Sequence, residues 1–243
     1  AEISEIAKDQ VLRYPTVQFL DDFATEGRQL ENGFEIKTSS GVIITGRKLL
    51  FSSGVKDILP DIKGIAQCWG ITVMHCPYCH GYEIRNEETG VLGDGDYAYE
   101  FAKLIKNWSS NLTIYTNGGN NLTDEQKERI RRNNIQIVQT KIKEAIHQNG
   151  QLQKLILADG SEKELKALYT DSYFEQHCKI PEQLGCTITP TGHIAVDDFR
   201  RTSVYGVFAS GDNSSSRSVS SAVFTGSYAA LGINQEMVDE DFL

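Results

Sequence analysis

The chain has 243 residues, enough for one large or two medium α/β domains. Its 33 acidic and 24 basic side chains give a formal net charge of -9, which argues against a nucleic-acid partner because phosphate binding needs a basic surface. No stretch approaches the roughly 18 consecutive apolar residues of a membrane span, so we expect no membrane partner.

The N-terminal segment predicts a helix followed by several strands. Apolar residues recur at helical spacing from Ile3 to Arg13, and the run from Val17 to Phe23 is typical of a strand. Phe34 to Thr38 and Val42 to Thr45, joined by a Ser-Ser-Gly turn, predict a β-hairpin. The mostly apolar run Lys48 to Phe51 predicts a buried strand.

A βαβ unit is predicted in the middle of the chain. A strand at Thr89–Leu92 runs into a glycine turn, a helix at Tyr97–Trp108 presents one apolar face, and a strand follows at Leu112–Tyr115. Thr123 and Gln126 have the spacing of a capping box, which predicts the start of a second helix that continues through Arg132.

The rest of the chain predicts further strands and a closing helix. Three segments are expected to form a small β region: Ile142–Ile146, Leu152–Leu157 and Leu165–Tyr169. Strands are then predicted at His193–Val196 and Gly206–Ala209, and a helix from about Ser218 to about Met237.

The segment Cys76-Pro77-Tyr78-Cys79 carries the strongest chemical signal in the sequence. Two thiols at this spacing can close a small disulfide ring, and nearby groups can stabilise the attacking thiolate, so the pair predicts a redox dithiol. One alternative is a zinc site completed by Cys178 and Cys186, although a second Cys-x-x-Cys is missing. Another is a pair of inert buried cysteines. The total of five cysteines fits a reducing compartment, and we expect a cytoplasmic protein.

The turn Gly93-x-Gly95-x-x-Ala98 has the dinucleotide-binding pattern between a strand and a helix. Two features weaken it as a nicotinamide site. Asp94 places a carboxylate inside the turn, where it would repel a pyrophosphate. The end of the next strand, at Thr116-Asn117, has neither an acid for a ribose hydroxyl nor an arginine for a 2′-phosphate. The alternative is a βαβ unit that keeps its turn for packing alone.

A second ligand-binding pattern is the strand Gly206–Ala209, which runs directly into Ser210-Gly211-Asp212. A carboxylate at the C-terminal end of a strand can accept hydrogen bonds from sugar or ribityl hydroxyls. An ordinary strand-to-helix turn is the alternative for this segment.

Taken together, four segments resemble the low-molecular-weight thioredoxin reductases of the class II pyridine nucleotide–disulfide oxidoreductases. These are Ser52-Ser53-Gly54, Cys-x-x-Cys, Gly-x-Gly-x-x-Ala and Phe-Ala-Ser-Gly-Asp, in this order. The form Cys-Pro-Tyr-Cys-His most resembles the thioredoxin-reductase-like flavoproteins, a branch that includes dithiol oxidases. The resemblance covers essentially the whole chain.

The resemblance implies a role for each matching residue. Cys76 would attack the substrate disulfide, Cys79 would lie nearer the flavin, and His80 would be the general acid–base. The alternative for His80 is a surface histidine at a helix start. The residues implied for FAD binding are Ser53, Gly54, Gly211, Asp212, Ser220, Ser221 and Ala222. Those for a nicotinamide nucleotide are Gly93, Gly95 and Ala98, with NAD(P)H use left open.

The resemblance also implies two Rossmann-like three-layer α/β domains. Residues 1–57 and 170–243 would form an FAD domain, and residues 58–169 an inserted NAD(P)-type domain that carries the dithiol. The family's first strand and FAD pyrophosphate turn have no counterpart here, so we expect the native protein to be longer by about two βα units, ~60–80 residues.

The function that the resemblance implies is FAD-dependent disulfide oxidoreduction with a thioredoxin-like protein or a small-molecule disulfide or dithiol, in a homodimer. One alternative is an oxygen-dependent dithiol oxidase. The other is a non-catalytic redox sensor that keeps the fold.

Overall fold

The computed structural model describes residues 2–242, which form two compact units. The first unit comprises Ala1–Lys56 and Phe174–Leu243, and the second is the continuous segment Asp57–Tyr173. Helices and strands mix in both units, which confirms the predicted α/β class. No helix within residues 2–242 has the length and apolar character needed to cross a membrane.

The described residues contain seven helices and fifteen strands. The helices are α1 (Glu2–Val11), α2 (Ile65–Cys68), α3 (Pro77–His80), α4 (Gly95–Ile105), α5 (Asp124–Arg132), α6 (Ile180–Gln183) and α7 (Val219–Phe242). The strands are β1 (Ala24–Leu30), β2 (Gly33–Thr38), β3 (Ile43–Gly46), β4 (Leu49–Phe51), β5 (Val55–Ile58), β6 (Val73–Met74), β7 (Thr89–Leu92), β8 (Leu112–Tyr115), β9 (Gln136–Val138), β10 (Ile142–Gln148), β11 (Gln151–Leu157), β12 (Glu162–Glu164), β13 (Ala167–Thr170), β14 (Tyr173–Gln176) and β15 (Val207–Ala209).

In the first unit, β1, β2 and β3 form an antiparallel sheet, and β4 pairs in parallel with β15. Phe34, Phe51, Ile180 and Val207 are buried together in its core. The long helix α7 buries only a narrow line of residues, spaced three or four apart, against this unit: Thr225, Ala229, Gly232 and Glu236.

The second unit is built on a five-stranded parallel sheet of order β6-β13-β7-β8-β9. The predicted βαβ unit is present as β7-α4-β8, in which Val91 is opposite Ile114. Thr123 and Gln126 form the predicted capping box at the start of α5. An antiparallel sheet of β10, β11 and β12 completes the unit.

Two strand predictions and one sheet assignment are wrong. The first is Val17–Phe23, which has no regular structure, and the strand β1 begins only at Ala24. Phe19 and Phe23 in this segment are 60% and 81% exposed. A strand persists only where a neighbour accepts its backbone hydrogen bonds, and no strand of residues 2–242 pairs with this segment.

The second wrong prediction is the strand His193–Val196, where the structure has a single isolated bridge between Ile188 and Ile194. The backbone N–H of Ile194 donates to Asn213, and that of Ala195 donates to Thr187. Because adjacent donors serve different segments, no continuous ladder forms.

The third correction concerns Leu165–Tyr169, expected in the small β region. The third strand of that sheet is β12, whereas β13 inserts between β6 and β7 in the parallel sheet. Ala167, Leu168 and Tyr169 are all fully buried. An apolar run buried on both faces suits a central parallel strand.

Candidate functional site

The dithiol lies at the start of the short helix α3. Cys76 is its N-cap, with extended backbone angles of φ -129° and ψ 114°, and Pro77 is the first helical residue. Proline suits this position because its fixed φ is already helical and its missing N–H would be unpaired there. The helix therefore turns the chain so that Cys76 and Cys79 share one turn, and the Cys79 N–H donates to the Cys76 carbonyl oxygen at 3.3 Å.

The two thiols differ in exposure and in environment. Cys76 is half-buried and Cys79 is exposed. A side-chain interaction with Cys76, partial burial and the charge of Cys76 raise the pKa of Cys79.

The other cysteines differ from this pair. Burial raises the pKa of both Cys68 and Cys186, as expected for inert core thiols. Among residues 2–242, no group of three or more His, Cys, Asp or Glu side chains is placed to hold a metal ion.

Trp108, just beyond α4, supports the dithiol helix. The ring of Tyr78 meets the Trp108 ring edge-on, with 5.6 Å between centroids. A Cβ added at Gly81 would lie 2.6 Å from the indole, so Gly81 lets the end of α3 lie directly on that ring. Sequence reasoning missed this contact, because nothing in the sequence links Gly81 to Trp108.

His80, the proposed acid–base residue, is the last residue of α3 and is exposed. Its imidazole forms no hydrogen bond or ion pair with any other residue in the described range. Both ring nitrogens are therefore accessible to a substrate thiol.

In the first unit, the parallel pair β4 and β15 brings two predicted cofactor segments together. Phe51 is opposite Ala209, so both strands end at the same edge. The hydroxyls of Ser52 and Ser210, just beyond these ends, lie 2.8 Å apart. Ser53 follows and is exposed.

The two glycines at this edge have left-handed backbones, with φ 65° at Gly54 and 78° at Gly211. A Cβ added at Gly54 would meet no atom within 4 Å, so the backbone there is open to a ligand.

The start of α7 reaches the same edge. The Gly211 N–H donates to the Thr225 hydroxyl at 3.0 Å, and a Cβ on Gly211 would lie 3.9 Å from the Ala222 methyl group. The Ser221 hydroxyl lies 3.2 Å from that of Ser215, and Ser220 is exposed one residue earlier. All the residues predicted to bind FAD are thus gathered at the ends of β4 and β15 and at the first turn of α7.

Asn213, which sequence reasoning missed, holds this edge together. It is fully buried, and its side-chain amide donates to the Phe51 carbonyl oxygen at 3.0 Å. Its Oδ1 is buried without a hydrogen-bond partner in the described part of the chain. Its position directly after Gly211-Asp212 is the sequence feature that could have identified Asn213 as part of this site.

The edge fits the expected flavin cofactor. The Asp212 carboxylate accepts no hydrogen bond from residues 2–242, so it is available to a ribityl or ribose hydroxyl. Hydroxyl groups, the open backbone of Gly54 and the N-terminus of a long helix lie at the same edge, and these groups suit a polar cofactor chain.

The turn at Gly93 fits a dinucleotide less well. The Tyr97 ring lies against Gly93, where an added Cβ would be 2.5 Å from the ring. Asp94 accepts hydrogen bonds from the backbone and side-chain amides of Asn121, at 3.0 and 2.7 Å for one oxygen. Gly95 has a left-handed φ of 58°, and Ala98 is fully buried against the sheet. The space beside Gly93 is thus filled by the chain's own side chain, and the turn carries negative charge.

Comparisons with known proteins agree with the resemblance. The sequence profile of the family described as pyridine nucleotide-disulphide oxidoreductase matches residues 16–226. The thioredoxin reductase tcpT of Claviceps purpurea (strain 20.1) is 32% identical, over 94% of this chain and 75% of that protein. A thioredoxin reductase of Gibberella zeae is 32% identical, over 88% and 72% of the two chains. The crystal structure of TrxB from Bacillus anthracis superposes with a TM-score of 0.93 at 27% identity, over 99% of this chain and 81% of that one.

These findings confirm the prediction of an FAD-dependent disulfide oxidoreductase of the thioredoxin-reductase type. The family uses FAD together with NAD(P)H. The chain belongs to the pyridine nucleotide-disulphide oxidoreductase family.

Proposed function

We propose that Cys76 and Cys79 are the redox-active pair of this oxidoreductase, and that they exchange electrons between a flavin and an external disulfide or dithiol. The observation that carries this proposal is the placement of Cys76 and Cys79 on one turn of α3, where the Cys79 N–H donates to the Cys76 carbonyl oxygen at 3.3 Å. The interaction with Cys76 raises the pKa of Cys79, which supports Cys76 as the attacking sulfur.

In the reducing direction, the Cys76 thiolate attacks one sulfur of the substrate disulfide. A Cys76–substrate mixed disulfide forms, the substrate S–S bond breaks, and the first substrate sulfur leaves as a thiolate. Cys79 then loses its proton and attacks the Cys76 sulfur. This closes the Cys76–Cys79 disulfide and releases the second substrate thiolate, so two electrons pass to the substrate. His80 is exposed beside the pair and is suited to carry the proton to or from these sulfurs.

FAD, when bound, would supply two-electron transfer to and from the dithiol. Asp212 would bind its ribityl chain, Ser53 and Gly54 would lie against it, and the first turn of α7 would face its ring. The shared edge of β4 and β15, with its 2.8 Å contact between Ser52 and Ser210, supports this assignment.

A second candidate is a dithiol oxidase that returns its electrons to oxygen. It is favoured by the turn at Gly93, where Tyr97 fills the space beside the glycine and Asp94 adds negative charge. Both features oppose a pyrophosphate, so they weaken NAD(P)H as the electron donor.

The proposed substrate is a thioredoxin-like protein or a small-molecule disulfide, since relatives of this chain carry the name thioredoxin reductase. We also propose a homodimer. Exposed apolar residues follow one face of α7, which supports an interface there: Phe224, Tyr228, Leu231, Val238 and Phe242. Leu231→Glu should convert the dimer to a monomer by light scattering, and an unchanged mass would disprove this interface.

Anaerobic mixing of the yellow flavoprotein with NADPH or NADH tests the direction of electron flow. Rapid bleaching of the flavin band supports a reductase. Bleaching only by a dithiol, with recovery in air, supports the oxidase. No response to any of these reagents contradicts both enzymatic functions and favours a redox sensor.

The role of Cys79 has its own test. Replacing Cys79 with Ser should abolish long-wavelength charge-transfer absorbance of the reduced protein, whereas Cys178→Ser should leave it intact. If the band survives in Cys79→Ser, Cys79 is not the thiol beside the flavin.

A further inference from the structure

Arg200 lies beside the strand β15 with its backbone in the left-handed region, at φ 66°. This conformation crowds the Cβ of an L residue and favours glycine, so an arginine here has a conformational cost. The Arg200 N–H donates to the Asp197 carbonyl oxygen at 3.0 Å, and the Arg200 carbonyl oxygen accepts from the Ala209 N–H at 3.1 Å. These two bonds hold the Arg200 backbone at the C-terminal end of β15.

The Arg200 guanidinium connects the end of this strand to a segment further along the chain. Nε donates to the Ala209 carbonyl oxygen at 3.4 Å. Nη2 donates to the Ser214 carbonyl oxygen at 3.1 Å and to the Ser214 hydroxyl at 3.0 Å. The side chain is half-buried, and burial lowers the pKa of Arg200. Hydrogen bonds from a charged donor in such surroundings are stronger than those between neutral groups.

The two anchor points of the guanidinium enclose the turn that carries Asp212. The Ser214 N–H donates to the Gly211 carbonyl oxygen at 3.0 Å, so Gly211 to Ser214 form a four-residue turn with Asp212 in its second position. Ala209 precedes this turn and Ser214 ends it. Arg200 therefore joins the chain that enters the turn to the chain that leaves it.

We propose that Arg200 is a positioning residue for the flavin, which fixes the turn Gly211–Ser214 so that the Asp212 carboxylate meets a hydroxyl of the cofactor. The inference rests on the proposed binding of FAD by Asp212. Arg200 acts through the turn. Its planar fork is required as well as its charge, because two different nitrogen atoms donate to Ala209 and to Ser214.

The test is the FAD dissociation constant of deflavinated full-length protein, measured by titration with FAD and the change in flavin fluorescence. Arg200→Lys keeps the charge but loses the planar fork, so it should raise this constant about tenfold. The matched control is Arg201→Lys. Arg201 pairs with Asp197 and Glu236, so the control should bind FAD as the wild type does. An unchanged constant in Arg200→Lys, or an equal rise in both variants, overturns the inference.

Arg200→Gly covers the case in which Arg200→Lys fails to fold. Glycine adopts a φ of 66° without strain, so this change relaxes the backbone and removes every side-chain bond. It should raise the dissociation constant at least as much as Arg200→Lys does. If Arg200→Gly binds FAD as tightly as the wild type, the side chain does not position the turn.

A double-mutant cycle tests whether the effect passes through Ser214. Ser214→Ala removes the hydroxyl that accepts from Nη2 of Arg200. If the two side chains act together, the double variant Arg200→Lys/Ser214→Ala should raise the dissociation constant by less than the product of the two single effects. Effects that multiply independently would contradict the proposed route.

Asp212→Ala separates this inference from the proposed flavin site. It should also raise the FAD dissociation constant, because it removes the proposed ligand itself. If only Asp212→Ala weakens binding, the flavin site stands and the role of Arg200 is wrong. If only Arg200→Lys weakens binding, Arg200 does not act through Asp212 and the inference fails. If neither variant weakens binding, both proposals are wrong.

Discussion

The backbone N–H of Cys79 donates a hydrogen bond to the carbonyl oxygen of Cys76 at 3.3 Å, which holds both cysteines on one turn of α3. The two thiols differ although they are only three positions apart, because Cys76 is half-buried and Cys79 is exposed. A side-chain interaction with Cys76 also raises the pKa of Cys79, so the proposal assigns the attack on the substrate to Cys76.

Single serine substitutions should separate these roles. In Cys79→Ser, Cys76 should still attack a disulfide but remain trapped as a stable mixed disulfide. In Cys76→Ser, Cys79 loses the neighbouring sulfur that raises its pKa, so its alkylation at neutral pH should become faster than in the reduced wild-type protein. Intact-mass analysis after substrate addition detects the trapped mixed disulfide. A trapped adduct on Cys79 in Cys76→Ser, with none in Cys79→Ser, would reverse the assignment.

Gly81 should tolerate no side chain, because a Cβ there would lie 2.6 Å from the Trp108 indole. We expect Gly81→Ala to lower the free energy of unfolding by about 1–3 kcal/mol, measured by urea denaturation. The control is Gly226→Ala, where an added Cβ meets no atom within 4 Å, so this change within α7 should be neutral or stabilising. Equal stability of the two variants would show that α3 does not depend on this contact.

A nearly buried ion pair connects α7 to Lys48, the residue directly before the strand β4. Lys48 Nζ lies 2.8 Å from Glu236, and the two side chains are only 6% and 8% exposed. Lys48→Met should therefore destabilise the protein by about 3–5 kcal/mol, because within residues 2–242 it leaves the buried Glu236 charge with Arg201 as its one remaining ion-pair partner.

The control for Lys48 is Lys37→Met, which breaks an exposed pair with Glu26 and should cost less than about 1 kcal/mol. Thermal unfolding of both variants checks the contrast. If Lys48→Met lowers the stability no more than Lys37→Met does, the Lys48–Glu236 pair does not stabilise the packing of α7.

Glu240 lies one helical turn beyond Glu236. We expect its carboxylate to make the stability of the protein depend on pH in the acid range. Hydrogen bonds from Lys48, Tyr205 and Arg47 lower the pKa of Glu240 to about 2. A carboxyl whose pKa is lowered by folding stabilises the protein above its ordinary pKa of 4.5, and this contribution is lost as pH falls towards 2.

Between pH 4.5 and 2, the unfolding free energy of the wild type should accordingly fall more steeply than that of Glu240→Gln, with Tyr205→Phe between them. Denaturant titrations across this range measure the slopes. Parallel slopes for wild type and Glu240→Gln would contradict the shift.

Local patterns were sufficient to predict much of this protein. The spacing of Cys76 and Cys79, the capping box at Thr123 and the run into Gly211-Asp212 each involve residues close in sequence, whose geometry follows from backbone rules. The βαβ unit was predictable for the same reason. Its sequence changes from a strand pattern to the apolar spacing of a helix, about 3.6 residues per turn, and back to a strand pattern within one short stretch.

Other features depend on partners that are distant in sequence. Val17–Phe23 has strand-like composition, but only pairing decides whether a strand forms. Leu165–Tyr169 was predicted as β structure, while the choice between the hairpin sheet and the parallel sheet depended on burial on both faces.

The sequence alone determined that this chain carries a Cys-x-x-Cys motif within an α/β frame, because those signals are local. Only the tertiary structure decided that Tyr97 fills the turn at Gly93 and that Tyr169 is buried in the strand β13, between β6 and β7. It also decided that the pKa of Cys79 is raised, since the interaction with Cys76 that raises it requires both side chains to lie on one helical turn. Packing and hydrogen bonding act through space, and spacing along the chain does not encode them.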